Sequence, residues 1–445
     1  MTSYADRSRV LTYQSCPRRR WLEYEVPTGN EVSGVRPAKL DMNLLTGSCF
    51  HTGVECLLHG DKVDYAVEGA LVEYWPLVKS QGLILEDSED AGYVAYEQAA
   101  LIEALIRGYA AFVLPQLLER FQVVEVEREE MATFSIPGFD LKFGARVDAL
   151  LMEKESLDLY ALSLKTAKEW GKKDDESARH DMQGLSETRV LEQRLGRWQQ
   201  CLDEAQAQGL QDYLKLSPYE GIPQWFYDRW ATGAPPTLMG VKMEYALKGR
   251  RAEEPKGSGR WCYSNPLIRP WKKADDLGGE SYAFRYEFKD PMGGNHRLGK
   301  GWNRVNIWED MGVKEWIERL ATQEIQGFSP GVGIASQFVL PIEYYRNEED
   351  MERWERQVVH QEHRVADGVD SLRLIMNRDA LNYSSQEVEN ALDEHFPMHT
   401  KACDWPTKCP YQVVCFGPKA YLMDPMSSGL FQIREPNHCT ELEGA

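Results

Sequence analysis

The chain has no run of about 18 consecutive apolar residues, so no membrane-spanning helix is expected. Its first residues, MTSYADRSRV, lack the apolar core of an export signal, which points to the cytoplasm. There is no G-x4-G-K-[ST] motif, so any helicase activity belongs to a partner. Internal repeats and low-complexity tracts are missing, as are the closely spaced cysteine pairs usual in zinc sites. Positive charge is scarce: 51 Lys and Arg against 70 Asp and Glu leave a formal net charge of −19. A general nucleic-acid coat is therefore excluded, although a local basic channel is not.

What is present is a well-packed globular chain. At 445 residues it is long enough for two or three packed units, and 42% hydrophobic residues can fill their cores. Nine cysteines in a reducing compartment suggest metal ligands or buried thiols rather than disulfides. Four of them read as one site: Cys16 in YQSCPRRRWLEYEV, and Cys403, Cys409 and Cys415 as C-x5-C-x5-C. Four thiolates suit an iron–sulfur cluster or structural zinc, and the five-residue gaps favour iron–sulfur. Such a site clips the two chain ends together; the alternative is a set of unrelated buried thiols. Cys49, Cys56, Cys201, Cys262 and Cys439 have no ligand-like spacing and read as structural.

Residues 4–26 look helical, ending near Pro27, and 38–60 and 91–120 show helical apolar spacing with a charged loop before the last. From Phe121 the period changes to two. FQVVEVERE, FDLKFGARVDALLM and LDLYALSLKTA read as three strands, with turns at Pro137–Gly138 and at residues 153–155. A helix is expected over 181–207, strands over 240–249, 281–290, 304–310 and 336–346, a loop at 251–260, and a long charged helix over 347–376. The implied units are 1–120 (first cysteine and helices), 121–247 (α/β core), 248–335 (insertion with basic and aromatic loops), 336–418 (closing strand, long helix, cysteines) and 419–445 (tail). Basic islands stand at Arg18–Arg19–Arg20, Lys165–Lys173, Lys248–Arg251 and Arg269–Lys273, with Trp261, Tyr263 and Trp271 interleaved. Separately they read as solvated surface; together they read as a groove that follows phosphates with cations and stacks bases on aromatics.

The chemistry lies on the strands. Asp148 falls in GARVDALL and Lys165 in YALSLKTA, where alternation puts Ala161, Ser163 and Lys165 on one face. An Asp and a Lys on adjacent strands suit a divalent metal and a charged phosphoryl transition state. His51, in TGSCFHTGVECLLHG, adds an imidazole from a preceding helix. The plain alternative is an Asp148–Lys165 salt bridge and a satisfied helix histidine.

These segments resemble the RecB-type branch of the PD-(D/E)XK nuclease superfamily. They are most similar to its iron–sulfur members, which include the AddB C-terminal nuclease and the CRISPR-associated adaptation exonucleases. SRVLTYQSCPRRRWLEY resembles the opening segment with the first cluster cysteine, and GSCFHTGVECLL the G-x3-H helix. GARVDALL with LSLKTA resembles the D…(D/E)-x-K core, and HDMQGLSE the following helix. The resemblance implies an α/β PD-(D/E)XK restriction-endonuclease-like core (α-β-β-β-α-β) with a helical N-terminal region and a C-terminal four-cysteine region. It implies His51 and Asp148 as ligands of Mg2+ or Mn2+, Lys165 as catalytic lysine, and Gln183 at the active-site position of its helix. It also implies a 4Fe-4S cluster on Cys16, Cys403, Cys409 and Cys415.

One position departs from that pattern: the second acidic ligand should stand two residues before Lys165, where this chain has Ser163. A hydroxyl is a poor ligand for hard divalent cations. Three outcomes follow. The carboxylate has moved to Glu187, one turn beyond Gln183, or to Glu127 on the adjacent strand; or His51, Asp148 and a backbone carbonyl near Leu164 hold the metal weakly; or the site is inactive. The expectation is a metal-dependent deoxyribonuclease acting on single-stranded DNA or duplex ends in a prokaryotic or phage-infected cell, with a helicase or a recombination or integration partner. The rival is a DNA-binding iron–sulfur scaffold that has lost cleavage.

Overall fold

The computed structural model describes residues 2–28, 33–39, 41–81, 89–168, 170, 181–207, 237–249, 338–340, 343–345, 347–377, 385–404, 408–436 and 441. Shorter described pieces are 251–253, 261–263, 287–290, 303–306, 314 and 317–318. Most of the expected insertion, 248–335, therefore lies outside the described residues, as do Lys172, Lys173, Trp271, Lys272 and Lys273.

The chain opens with β1 (Thr2–Asp6), α1 (Arg7–Ser15), α2 (Pro17–Arg20), a π-helical turn at Trp21–Glu25, and β2 (Val35–Pro37). The helix expected from residue 4 thus begins at Arg7. Thr2 to Asp6 instead run parallel to a later strand, and no pattern within five residues announces a distant partner. Asp6 then caps α1, accepting from Arg9 N at 2.8 Å. Pro17 at the first position of α2 tolerates its missing N–H.

Next come α3 (Met42–Leu58), α4 (Val63–Ser80), α5 (Glu89–Phe112) and α6 (Leu114–Arg120). Helix α4 is an addition to the sequence reading; its Pro76 and Gly69 weaken the periodic signal. The 91–120 helix divides at Val113, with Pro115 in the first turn of α6. Gln98–Arg120 is long and apolar enough to cross a membrane, but Leu101, Ile102, Leu105 and Ile106 are fully buried, as in a core helix.

Strands β3 (Phe121–Ile136), β4 (Phe139–Glu153) and β5 (Leu159–Ala167) follow the alternation, and Gly138, at φ +85°, makes the turn between the first two. Beyond them lie α7 (Met182–Ala207), β6 (Leu238–Leu247), β7 (Arg251–Glu253), β8 (Trp261–Tyr263), β9 (Glu287–Asp290), β10 (Asn303–Asn306), β11 (Phe338–Val339) and β12 (Tyr344–Tyr345). Strand β7 replaces part of the loop expected at 251–260, and of the strand expected at 281–290 only Glu287–Asp290 is described. The single strand expected over 336–346 is two pairs, β11 and β12, on either side of Pro341, which has no N–H for a ladder. The chain closes with α8 (Glu348–Asn377), α9 (Ser385–His395), α10 (Gln412–Cys415), α11 (Lys419–Met423) and β13 (Phe431–Ile433). Within the expected tail, β13 pairs with β2, and Glu441 is buried against Arg9 and Arg434.

A mixed seven-stranded sheet carries the fold. Strand β3 lies antiparallel along the whole of β4, from Phe121 opposite Glu153 to Ile136 opposite Phe139. The other edge of β4 is shared. Strand β1 runs parallel to it from Asp140 to Gly144, while β5 runs antiparallel from Met152 to Ala149. The carboxyl ends of β1 and β5 therefore face each other across residues 145–148 of β4. Strand β6 continues the sheet parallel to β5, and β11 and β12 pair with β6. Helices α3 to α5 cover one face, with Phe50, Tyr74, Leu105 and Leu162 in their core. Leu191 and Val190 of α7 and Trp354 and Val358 of α8 pack on the other. This is a mixed α/β architecture consistent with a PD-(D/E)XK nuclease fold.

Candidate active site

The gap in the β4 edge is where the expected residues meet, at the carboxyl ends of strands that part company, a usual place for sites in α/β sheets. Helix α3 approaches it closely because Gly47 has no side chain. A Cβ there would lie 2.9 Å from Thr166 Oγ1 of β5. One turn later on the same helix face stands His51, whose Nδ1 is 3.4 Å from Asp148 Oδ1. The spacing of the G-x3-H segment thus has a local cause: the glycine lets the helix down onto the strand, and the histidine reaches past it.

Asp148 is buried and accepts from Leu164 N at 2.6 Å through its second oxygen. Burial alone would raise its pKa, but His51 and the Leu164 amide outweigh that and hold it below the ordinary carboxyl value. His51 shows the converse: burial lowers its pKa, the Asp148 and Glu127 carboxylates raise it, and the net shift is upward. Glu127 completes the group. It lies opposite Asp148 in the β3–β4 register, just past an irregularity at Val123/Glu125, with φ +46°. That left-handed backbone is strained for a residue with a side chain, and here the strain accompanies a carboxylate turned toward its neighbour. Ligand atoms of His51, Glu127 and Asp148 all lie within 4.8 Å of one another. Burial and Asp148 raise the pKa of Glu127 to about 7, although Arg146 Nε is 2.9 Å from its carboxylate. One imidazole and two carboxylates at this spacing suit a divalent cation.

Ser163 is fully buried, its Oγ 3.5 Å from Oε1 of Glu187 on α7. Glu187 is 1% exposed, its Oε2 has no hydrogen-bond partner among the described residues, and burial followed by Asp148 pushes its pKa well above normal. A carboxylate therefore stands beside the hydroxyl where the sequence pattern lacked one. Lys165 does not pair with Asp148; its Nζ meets Asp181, whose other oxygen accepts from Gln183 N at 2.8 Å. Burial lowers the Lys165 pKa and Asp181 only partly restores it. Gln183 accepts from Nη1 of Arg7, the residue that follows β1.

Asp181 and Arg7 were missed by the sequence reading. Asp181 carries a signal, an acidic residue just before a helix. Arg7 carries none, because its place depends on β1 joining the sheet. Arg18 and Arg20 require a correction, since neither belongs to a basic surface channel. Arg18 bonds Asp393 at 2.7 Å and the Phe396 carbonyl at 2.9 Å, and Arg20 pairs with Glu362 at 3.0 Å, all with both arginines at most 2% exposed. Such buried guanidiniums hold α2 to α8 and α9, and breaking the fully buried Arg20–Glu362 pair costs about 3–5 kcal/mol.

Cys16, Cys403, Cys409 and Cys415 line one small cavity with Arg19 and Met398. All four are free thiols. Cys16 sits between α1 and α2, and its Sγ accepts from His399 N at 3.5 Å; Cys409 N donates to the Cys403 carbonyl at 2.7 Å. Burial raises the pKa values of Cys403, Cys409 and Cys415, the last to about 12, and nearby thiols raise them further.

No curated protein matches the chain. Residues 7–186, which carry Arg7, His51, Glu127, Asp148, Ser163, Lys165 and Gln183 and stop one residue short of Glu187, match the PD-(D/E)XK nuclease superfamily.

Proposed function

We propose that this protein is a metal-dependent deoxyribonuclease whose second acidic ligand has moved from the β5 position to α7. The observation that carries the proposal is the meeting of His51, Glu127 and Asp148 with a buried, unpartnered Glu187 oxygen, beside Lys165, within a nuclease-like segment. His51, Glu127 and Asp148 would hold Mg2+ or Mn2+, and the orphaned Glu187 oxygen fits a further ligand. When bound, the cation supplies Lewis acidity toward the phosphodiester and lowers the pKa of water.

The chain's own residues do the rest. Asp148 is kept ionised by His51 and the Leu164 amide, so it needs no proton loss to bind a cation. Lys165, half-buried and held by Asp181, supports the charge that develops on the phosphoryl oxygens. Asp181 fixes the lysine by capping α7 at the same time. Gln183, bonded to Arg7, stands one turn from Glu187 on the same helix.

The four-cysteine cavity supports a 4Fe-4S cluster as the second metal centre. Four thiols are gathered by segments from both chain ends, and the three whose pKa values burial raises, Cys403, Cys409 and Cys415, stay protonated unless a cation draws off their protons. Action on single strands or duplex ends and a helicase or recombination partner extend the proposal and rest on the family resemblance, and a cytoplasmic place extends it from the polar opening residues. The second reading, a DNA-binding scaffold without cleavage, is favoured by Ser163 alone.

The test is cleavage of labelled single-stranded and duplex DNA by anaerobically purified protein with Mn2+ or Mg2+. Brown colour with absorption near 400 nm accompanies the cluster. Cleavage that survives Lys165→Ala or Asp148→Ala refutes this site; no cleavage by the intact protein refutes the enzyme.

A further inference from the structure

Resting on the nuclease reading, we propose that Arg7 is a phosphate-binding residue of this site, reaching the nucleic-acid backbone from the end of β1.

The arginines at the start of the chain divide into two kinds. Arg9, Arg18, Arg19 and Arg20 each meet a carboxylate: Arg9 with Asp6 and Glu25 at 3.7 and 3.5 Å, Arg18 with Asp393 at 2.7 Å, Arg19 with Glu23 at 2.8 Å, and Arg20 with Glu362 at 3.0 Å. Arg7 differs. Among the described residues its guanidinium meets the neutral amide of Gln183 and no acid. It is half-buried, not stretched into solvent.

Its position follows from the sheet. Asp6, the last residue of β1, lies opposite Gly144 of β4, four residues before Asp148. Arg7 is therefore the first residue beyond β1 on the side where β5 delivers Lys165. Its charge is felt at both Lys165 and Glu187.

The charge balance needs such a group. Four carboxyl groups gather here, Glu127, Asp148, Glu187 and Asp181, of which Glu127 and Glu187 hold their protons more tightly than usual, and an approaching phosphodiester is anionic. Of the cations beside them, Arg146 is committed to Glu127 and Lys165 to Asp181. Arg7 is left with an uncharged partner. A guanidinium fork matches two phosphate oxygens and gains more from them than from one amide oxygen. Substrate binding would exchange the Gln183 contact for phosphate.

The test compares full-length Arg7→Gln, Arg7→Lys and Arg356→Ala with the unaltered protein. The probe is a short labelled single-stranded oligonucleotide, with Ca2+ replacing Mn2+ to suppress cleavage. Arg7→Gln keeps a donor for Gln183 and removes the charge, so a purely structural role predicts unchanged binding. The expected result is affinity about tenfold weaker and a slope of log affinity against log salt flatter by about one. Arg7→Lys should keep the slope, and Arg356→Ala, exposed on α8, should change neither. In Mn2+, cleavage should fall with Arg7→Gln while its thermal melt matches the unaltered protein. Unchanged affinity and slope in Arg7→Gln overturn the Arg7 proposal alone. An unaltered protein that binds without cutting overturns the hydrolase and leaves the Arg7 comparison decisive. One that neither binds nor cuts overturns both.

Discussion

Replacing Glu187 by Gln should make the metal-free protein relatively more stable as pH rises and the metal-bound protein less active. The Glu187 carboxyl is buried, has one oxygen 3.5 Å from Ser163 Oγ and the other unpartnered, and its pKa is raised by burial and then by Asp148. Below about pH 4.3 both folded and unfolded chains carry the proton, and the group is neutral to stability. Above that, the unfolded chain releases a proton that the folded chain retains. Stability is then lost at about 1.4 kcal/mol per pH unit until the folded carboxyl itself ionises. Glutamine does not titrate in either state. The stability of Glu187→Gln relative to the unaltered protein should therefore grow between pH 5 and 7, by about 1.4 kcal/mol for each pH unit over which the folded carboxyl keeps its proton. Urea unfolding in EDTA at both pH values measures this. With Mn2+ at a hundredfold excess over its dissociation constant, the unaltered protein gains about 2.7 kcal/mol, and the variant should gain less and cleave poorly. Parallel pH dependences in EDTA would refute the perturbed carboxyl, and undiminished cleavage would refute its role as a ligand.

Ser163→Asp should lower metal-free stability without raising cleavage. A second carboxyl buried beside Glu187, whose oxygen lies 3.5 Å from Ser163 Oγ, must either keep its proton or be buried as a charge, and both cost stability above the ordinary carboxyl range. A clear rise in cleavage would return the ligand position to β5. Because burial and Asp148 raise the Glu127 pKa to about 7, Mn2+ affinity measured calorimetrically should climb as pH rises through that value. Glu127→Gln should weaken binding and flatten the curve, and an unaltered curve would remove Glu127 from the site. Cys16→Ala or Cys409→Ala should lose iron and sulfide and melt at lower temperature. Closing even a 100-residue loop is worth about 4–5 kcal/mol in the disulfide model. Full iron in Cys16→Ala would take Cys16 out of the cavity's chemistry.

The strands around Asp148 and Lys165 were legible because a period of two, broken at Pro137–Gly138, is a local property that the hairpin inherits directly. His51 was legible for a similar reason, since Gly47 and His51 share a helix face. The doubt about Ser163 was also a sequence fact, but its two candidate substitutes, Glu127 and Glu187, stood undecided. Tertiary structure placed both, in different ways: Glu127 through a left-handed backbone within the cation-sized group, Glu187 as a buried carboxyl against Ser163. Strand β1 was read as helix because five residues do not reveal a parallel partner more than a hundred positions away. Arg7 was invisible with it. Arg18 and Arg20 looked like surface charge, since a run of arginines reads alike whether it lies in solvent or is buried against carboxylates from α8 and α9. Local periodicity determined most of the strands and helices that carry His51, Asp148 and Lys165, while the roles expected of those residues came from the family resemblance. Which charges are paired within the fold was decided only where distant segments met, because an ion pair's energy depends on the burial and identity of a partner the local sequence does not contain.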